Sequence, residues 1–285
     1  MTRLTKIAKP DTCVITNIGT CHLENLGDRD GVLKAKTEIF QSMKPNGHIV
    51  LNGDDDKLIT VREYNGVKPV FFGLNSERDV YADQIESKGL KGVACRIHLG
   101  EDAFDVLVPT PGIHMVYNAL AAAAVGRIYG LTIEEIRRGI ESLETIRGRF
   151  KMIETDKFLV VDDCYNANPM SMKASLDVLH DGEGRRVAIL GDMGELGEDE
   201  AALHEGVGIH AAICGIDACV CVGDLAVHIA EAARKANPDF PVYYEKTRES
   251  LLEHLNDYVQ KGDTILVKAS HFMKFEEVVK ALEEM

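Results

Sequence analysis

The sequence has no long basic run, no paired C-x-x-C frame and no apolar stretch long enough to span a bilayer, and each absence narrows its function. Without a basic run, and with a formal net charge of -14, it is a poor partner for nucleic acid or anionic membrane. The seven cysteines (13, 21, 95, 164, 214, 219 and 221) are odd in number and lie mostly among apolar neighbours. Neither a zinc frame nor a disulfide framework is expected from them, and a reducing cytosol suits them. The opening MTRLTKIAKPD has no apolar signal core. No G-x-G-x-x-G occurs, so a dinucleotide cofactor is unsupported. What is present is ordinary globular composition: 285 residues, 45% hydrophobic and 27% charged, enough for two soluble domains.

Chemistry concentrates in residues 17–40, NIGTCHLENLGDRDGVLKAKTEIF. A short apolar strand (Cys13, Val14, Ile15) leads into Asn17, Gly19, Thr20, His22 and Glu24, polar groups at the end of a strand where α/β sheets meet ligands. A helix capped by Asp30 or a neighbour is then expected to carry Val32, Leu33, Lys36, Ile39 and Phe40. Lys36 falls beside that apolar stripe, where a bare ammonium is costly. It must be paired, neutral or modified there, unless it simply reaches out to solvent.

Downstream, residues 48–51 read as a second buried strand ending in Asn52-Gly53-Asp54-Asp55-Asp56, a capping turn or a set of metal ligands. Residues 70–73 form another strand, and residues 80–109 alternate as antiparallel strands do. An alanine-rich helix follows from His114 and ends at Gly130. Thr132-x-x-Glu135 is a capping box for the next helix. The domain boundary is expected just before Arg149, giving domains 1–147 and 148–285. Beyond it, strands and helices alternate as in a parallel, Rossmann-like sheet. Asn168 with Pro169 opens one helix, and residues 187–190 form a strand running into Gly191-Asp192-Met193-Gly194-Glu195-Leu196-Gly197.

The clusters N-I-G-T-C-H-L-E, A-K-A-K-T-E-I-F, N-G-D-D, H-M-V-Y-N-A-L-A-A-A, G-R-F, D-D-C-Y-N-A-N-P and G-D-M-G-E-L-G, in this order, resemble those of the Mur ligases of peptidoglycan synthesis. The resemblance runs from about Leu4 to the C-terminus. It implies an α/β chain with a partial central ATPase domain followed by a Rossmann-like C-terminal domain. It implies a cytoplasmic, ATP-dependent amide ligase working through an acyl phosphate. The Y-N-A-N-P-x-S-M and G-D-M-x-E-L-G versions of the motifs point to UDP-MurNAc-tripeptide and D-Ala-D-Ala as substrates. By resemblance, His22 and a carbamylated Lys36 would bind Mg2+, with Lys34 as the fallback for the lysine. Asn118 would read adenine with His114 close by, and Arg149 would reach ATP phosphate. Asp163 would lie near the ribose, with Tyr165, Asn166 and Asn168 in the same loop. Asp192, Met193, Glu195 and Ser270 would face the amino-acid substrates.

Two departures from the family pattern stand out. Lys268-Ala269-Ser270-His271 stands where the family has K-G-S-R, replacing a fixed charge by one only partly protonated near neutral pH. The 285 residues also contain no G-T-x-G-K-T phosphate loop and no UDP-sugar domain before it. The chain is therefore expected to be inactive alone, with an exposed central-sheet edge able to self-associate. A hinge near Arg147 and Arg149 is expected between the domains. The rival readings are a folylpolyglutamate-synthase-like ligase, against which Y-N-A-N-P and G-D-M-G-E-L-G argue, and a non-catalytic remnant or interaction module.

Overall fold

The computed structural model describes residues 1–20 and 23–285; Cys21 and His22 lie outside the described residues. The chain forms two compact units, Met1–Glu144 and Thr145–Met285.

In the first unit, α1 (Thr2–Ala8) precedes β1 (Thr12–Ile15), α2 (Leu23–Leu26) and α3 (Arg29–Thr37). Strands β2 (His48–Asn52), β3 (Val70–Gly73), β4 (Val80–Ser87), β5 (Val93–Leu99) and β6 (Asp102–Val108) follow, then α4 (Ile113–Ile128) and α5 (Ile133–Glu141). They make one six-stranded sheet in chain order. The first four strands run parallel; β4–β5 and β5–β6 are antiparallel. Strict alternation buries Val93, Cys95, Ile97 and Leu99 of β5, and Phe104, Val106 and Val108 of β6, on one face. Helix α4 covers that face with Val116, Ala119, Leu120, Ala123 and Ala124, whose small side chains permit close approach. The capping box is present: the Thr132 backbone N–H donates to Glu135 at 2.8 Å and Thr132 Oγ1 accepts from the Glu135 N–H. It directs Ile136 and Ile140 into the same core. Leu143 lies beyond the helix and is exposed.

In the second unit, β7 (Lys151–Glu154), β8 (Leu159–Asp162), α6 (Pro169–His180) and β9 (Arg186–Gly191) lead to α7 (Glu200–Ile213), β10 (Ala218–Val222) and α8 (Ala226–Ala236). The remainder is β11 (Val242–Glu245), α9 (Arg248–Tyr258), β12 (Thr264–Lys268) and α10 (Glu276–Glu284). The sheet order is β11-β10-β9-β12-β8-β7. Strands β8 to β12 are parallel, and β10 and β12 are buried along their whole length, as apolar runs under two helical layers should be. The sheet is not wholly parallel, as alternation had suggested. Strand β7 adds antiparallel to β8 at the edge, and its half-buried KMIE segment carries no clear period. Asn168 caps α6 by accepting from Ser171 N–H at 2.9 Å, with Pro169 at the first helical position.

Candidate functional site

In the second unit the parallel strands end together, and their carboxyl ends hold most of the expected site residues. Asp162 and Asp163 end β8 and divide their work. Asp162, 2% exposed, accepts from the Gly148 N–H at 2.8 Å. Asp163 is held from the other side. The Lys268 ammonium, 2% exposed at the end of β12, donates to Asp163 Oδ2 at 2.5 Å and to the Asn166 carbonyl at 3.2 Å. Ser175 Oγ donates to the same Asp163 oxygen at 2.7 Å. A buried ammonium needs such a partner, and removing one member of a buried pair typically costs about 3–5 kcal/mol. Asp163, expected near a ribose, thus has one oxygen committed within the fold. Tyr165 and Asn166 are exposed, while Asn168 serves the helix cap.

Arg149 is exposed and lies with its guanidinium carbon 3.8 Å from the Tyr165 ring centroid. The other neighbour of Tyr165 is His271, edge-on at 5.7 Å. The fasteners of residues 147–150 bear on the expected hinge. Arg147 forms a two-pronged pair with Glu283, Gly148 is bonded to Asp162 and Tyr165, and Phe150 is buried. These residues belong to the second unit, which begins at Thr145, so a pivot at Arg147 and Arg149 does not fit.

The Gly191–Gly197 loop is suspended from three elements. The Asp192 carboxylate accepts from the Leu225 and Ala226 N–H groups at 3.1 and 2.7 Å, capping α8 from a distance. Gly223 must lack a side chain there, since a Cβ would meet this carboxylate. The Met193 N–H donates to His204 Nε2 at 2.9 Å. Ser270 closes the third attachment: its N–H donates to the Asp192 carbonyl at 3.0 Å, and its Oγ accepts from the Gly194 N–H at 2.9 Å. Of the four residues expected to face substrate, Asp192, Met193 and Ser270 are buried and Glu195 is exposed. Glu195 adopts a left-handed backbone with φ 60°, a conformation costly for a residue with a side chain.

His204 was not legible as a site residue; its position on an apolar helix face gave no signal. Its Nδ1 lies 2.7 Å from the Glu200 carbonyl and must carry the proton, which leaves Nε2 to accept from Met193. Burial pushes its pKa below the ordinary value, against the pull of the Glu200 carbonyl and of Asp192, with His228 adding to the depression. A base whose folded pKa is depressed contributes stability fully above its unfolded pKa of about 6.5 and loses it as pH falls below that. Asp192, raised by burial, has the opposite sign. Urea midpoints should therefore drop between pH 7.5 and pH 5.5, and His204→Gln should reduce that drop. An identical pH slope in the variant would contradict the assignment.

In the first unit, Asp28 caps α3 by accepting from the Gly31 N–H at 2.8 Å. The helix is shorter than expected, and Ile39 and Phe40 lie on a 3-10 turn after it. Lys36 is half-buried and its Nζ donates to the Asn17 carbonyl at 2.8 Å, pointing into the N-I-G-T loop; Lys34 is exposed. Among the described residues Lys36 has no carboxylate partner. His22 lies outside the described residues. The Asn52-Asp56 turn is structural. Asp55 accepts from the Ile18, Lys57 and Leu58 N–H groups, and Asp54 from Leu74 N–H, Arg78 and Tyr117. Burial first, then Asp54, pushes the Tyr117 hydroxyl up to about 12, so it stays a donor. His114 and Asn118 share one face at the start of α4, one turn apart. Asn118 opens onto a groove of about 490 Å³ lined by Met115, Ala119, Ala122, Gly139 and Leu143.

The profile of the Mur ligase middle domain matches residues 1–126, and that of the Mur ligase, glutamate ligase domain matches residues 148–271. The chain belongs to the Mur ligase family. Among its relatives, the UDP-N-acetylmuramoyl-tripeptide--D-alanyl-D-alanine ligase of Bacillus subtilis is 36% identical over 284 residues, 99% of this chain and 61% of the relative. The ligase of the same name in Escherichia coli is 34% identical over 282 residues, 98% of this chain and 61% of the relative. This Mur ligase chain therefore spans 61% of the length of each. Among solved structures, a MurF from Acinetobacter baumannii superposes with a TM-score of 0.89 at 31% identity, covering 100% of this chain and 62% of that one. A MurF ligase from Thermotoga maritima solved in complex with ADP gives 0.83 at 28% identity, covering 99% and 64%. The two mixed sheets described above are thus Mur ligase middle and C-terminal domains.

Proposed function

We propose that this chain supplies the central and C-terminal domains, 1–147 and 148–285, of an ATP-dependent ligase joining D-Ala-D-Ala to UDP-MurNAc-tripeptide. The observation that carries this reading is identity of 36% and 34%, spread over nearly the whole chain, to two relatives named for that activity. In the reaction, an oxygen of the tripeptide's terminal carboxylate attacks the γ-phosphorus of ATP and ADP leaves. The amine nitrogen of D-Ala-D-Ala then attacks the acyl carbon, loses a proton and expels phosphate.

The residues suit parts of this chemistry. The apolar groove beside Asn118 offers flat contact to a purine, and an amide both donates and accepts toward its edge. Arg149 presents a planar, permanent cation, supported on one face by Tyr165, to a transferring phosphoryl group. Asp163, Asn166 and Asn168 serve this site by shaping the loop that carries Tyr165. Glu195, alone exposed on its loop among the four expected substrate residues, meets the incoming dipeptide, while Asp192, Met193 and Ser270 hold the loop.

Magnesium is a separate matter. Among the described residues no group of three or more His, Cys, Asp or Glu is placed to hold a metal ion, and Lys36 as an ammonium can only donate. As they stand, these residues do not fit the ion. Carbamylation of Lys36, in which its neutral amine adds carbon dioxide and loses a proton, would replace the ammonium by an anionic oxygen ligand of the kind magnesium prefers. The half-buried setting of Lys36, with no acid partner among the described residues, supports that reading.

Extending the 285 residues at the N-terminus with the corresponding segment of the Bacillus subtilis relative tests the function. The extended chain should form UDP-MurNAc-pentapeptide from D-Ala-D-Ala, and the 285 residues alone should release no substrate-dependent phosphate. An extended chain that folds and binds ATP without forming product would favour an interaction module instead. The edge strand β1 pairs with β2 alone among the described residues, and Val14, Leu4 and Ile7 are exposed near it in sequence. The 285 residues should accordingly sediment partly as dimers at micromolar concentration. A strictly monomeric profile would dismiss the exposed edge as a docking surface.

A further inference from the structure

We propose that Asp162 is a positioning residue for Arg149, acting through the Gly148 amide. The proposal rests on the reading of Arg149 as the phosphate-facing cation and deepens it. Asp162 touches no substrate in that reading. Its carboxylate is buried at the end of β8 and divides between two turns of chain: one oxygen accepts from the Gly148 N–H at 2.8 Å, the other faces the Cys164 thiol at 3.0 Å and N–H at 3.4 Å. Gly148 returns the connection, its carbonyl accepting from the Tyr165 N–H at 3.0 Å. Asp162 therefore clamps together the segment that carries Arg149 and the segment that carries its ring partner.

The backbone around Arg149 shows what the clamp maintains. Gly148 sits at φ 76° and Phe150 at φ 55°, so Arg149 is flanked by two left-handed residues. Gly148 is required: besides the positive φ, a Cβ there would lie 3.1 Å from the Tyr165 Cβ. Phe150 bears a side chain and adopts this conformation while buried, a cost that surrounding contacts must offset. Those contacts are the Asp162 clamp and the Arg147–Glu283 pair before Arg149, and the pairing of Lys151 with Asp162 in the β7–β8 ladder after it. An exposed arginine normally loses rotamer entropy when it engages a ligand. Holding the backbone on both sides, with the guanidinium laid on Tyr165, removes part of that loss in advance.

The test uses the 285-residue chain in solution by NMR and needs no nucleotide, so it stands apart from the fate of the ligase reading. In the wild type the Gly148 amide should exchange at least tenfold slower than the Glu144 and Thr145 amides, and the Arg149 side-chain protons should be shifted upfield by the Tyr165 ring. Tyr165→Leu should abolish that shift, which assigns it. Asp162→Ala should accelerate Gly148 exchange tenfold or more and remove the upfield shift while the methyl resonances of Val160, Ile189 and Ile265 stay in place. Asp162→Asn, which retains one acceptor, should fall between. The proposal is overturned if Arg149 keeps its shift and Gly148 its protection in a folded Asp162 variant. It is equally overturned, with no variant needed, if the wild-type Gly148 amide exchanges as freely as Glu144 and Thr145. Loss of ATP affinity in Arg149→Ala is the separate measure of what Arg149 contacts.

Discussion

Lys36→Ala in the extended ligase is expected to lower kcat by about 10³-fold or more, and formate or acetate in the assay should restore part of the loss. The size follows from what the side chain is asked to do. As an ammonium, Lys36 donates one hydrogen bond to the Asn17 carbonyl, a contact whose loss would be modest. As a carbamate it brings an anionic oxygen to the loop, and its removal leaves phosphoryl charge without the ion that oxygen would hold. The two chemistries therefore differ greatly in predicted consequence. Lys34→Ala, two positions away and exposed, should leave turnover within about twofold of wild type, as surface changes usually do. Near-normal turnover in Lys36→Ala would remove the carbamate from the account, and chemical rescue in Lys34→Ala would shift the register to that lysine.

Arg149→Ala should cost about 10²–10³-fold in kcat/KM for ATP, the range seen when one preorganised charge donor is removed. Arg149→Lys should recover little of it. The guanidinium carbon lies over the Tyr165 ring, 3.8 Å from its centroid, and an ammonium on a flexible stem reproduces neither that contact nor the forked geometry. Tyr165→Leu tests the support alone. An exposed cation–π contact contributes about 0.5–1 kcal/mol, so the expected effect is about two- to fivefold, mainly on KM. If Arg149→Ala retains full kcat/KM, the arginine is a surface residue and the phosphate-facing role falls to another group.

Much of the architecture was legible because local chemistry and global fold agree. The capping box at Thr132 and Glu135 and the Asn168-Pro169 start declare helices whatever surrounds them. The apolar runs of β9, β10 and β12 declare buried strands for the same reason. Strand β7 was hidden because an edge strand of three half-buried residues and one exposed residue has no period to read. Arg149, Tyr165 and Glu195, expected at the site by resemblance, stand exposed in the segments between strands. Buried polar groups were not legible. Lys268, His204 and Asp162 sit in apolar stretches, and only the fold shows that each is joined to a loop distant in sequence. The turn at Asp54 and Asp55 shows the converse: adjacent acids look like metal ligands in sequence, yet these are occupied by backbone N–H groups, Arg78 and Tyr117.

The central claim is that the extended ligase activates a carboxylate as an acyl phosphate and passes it to an amine. Labelling the terminal carboxylate of UDP-MurNAc-tripeptide with ¹⁸O, and supplying it with D-Ala-D-Ala, magnesium and ATP to the extended chain, tests that most directly. The account predicts one ¹⁸O in each phosphate released, because the oxygen that attacks phosphorus leaves with it. Phosphate free of the label, released alongside the amide product, would contradict it.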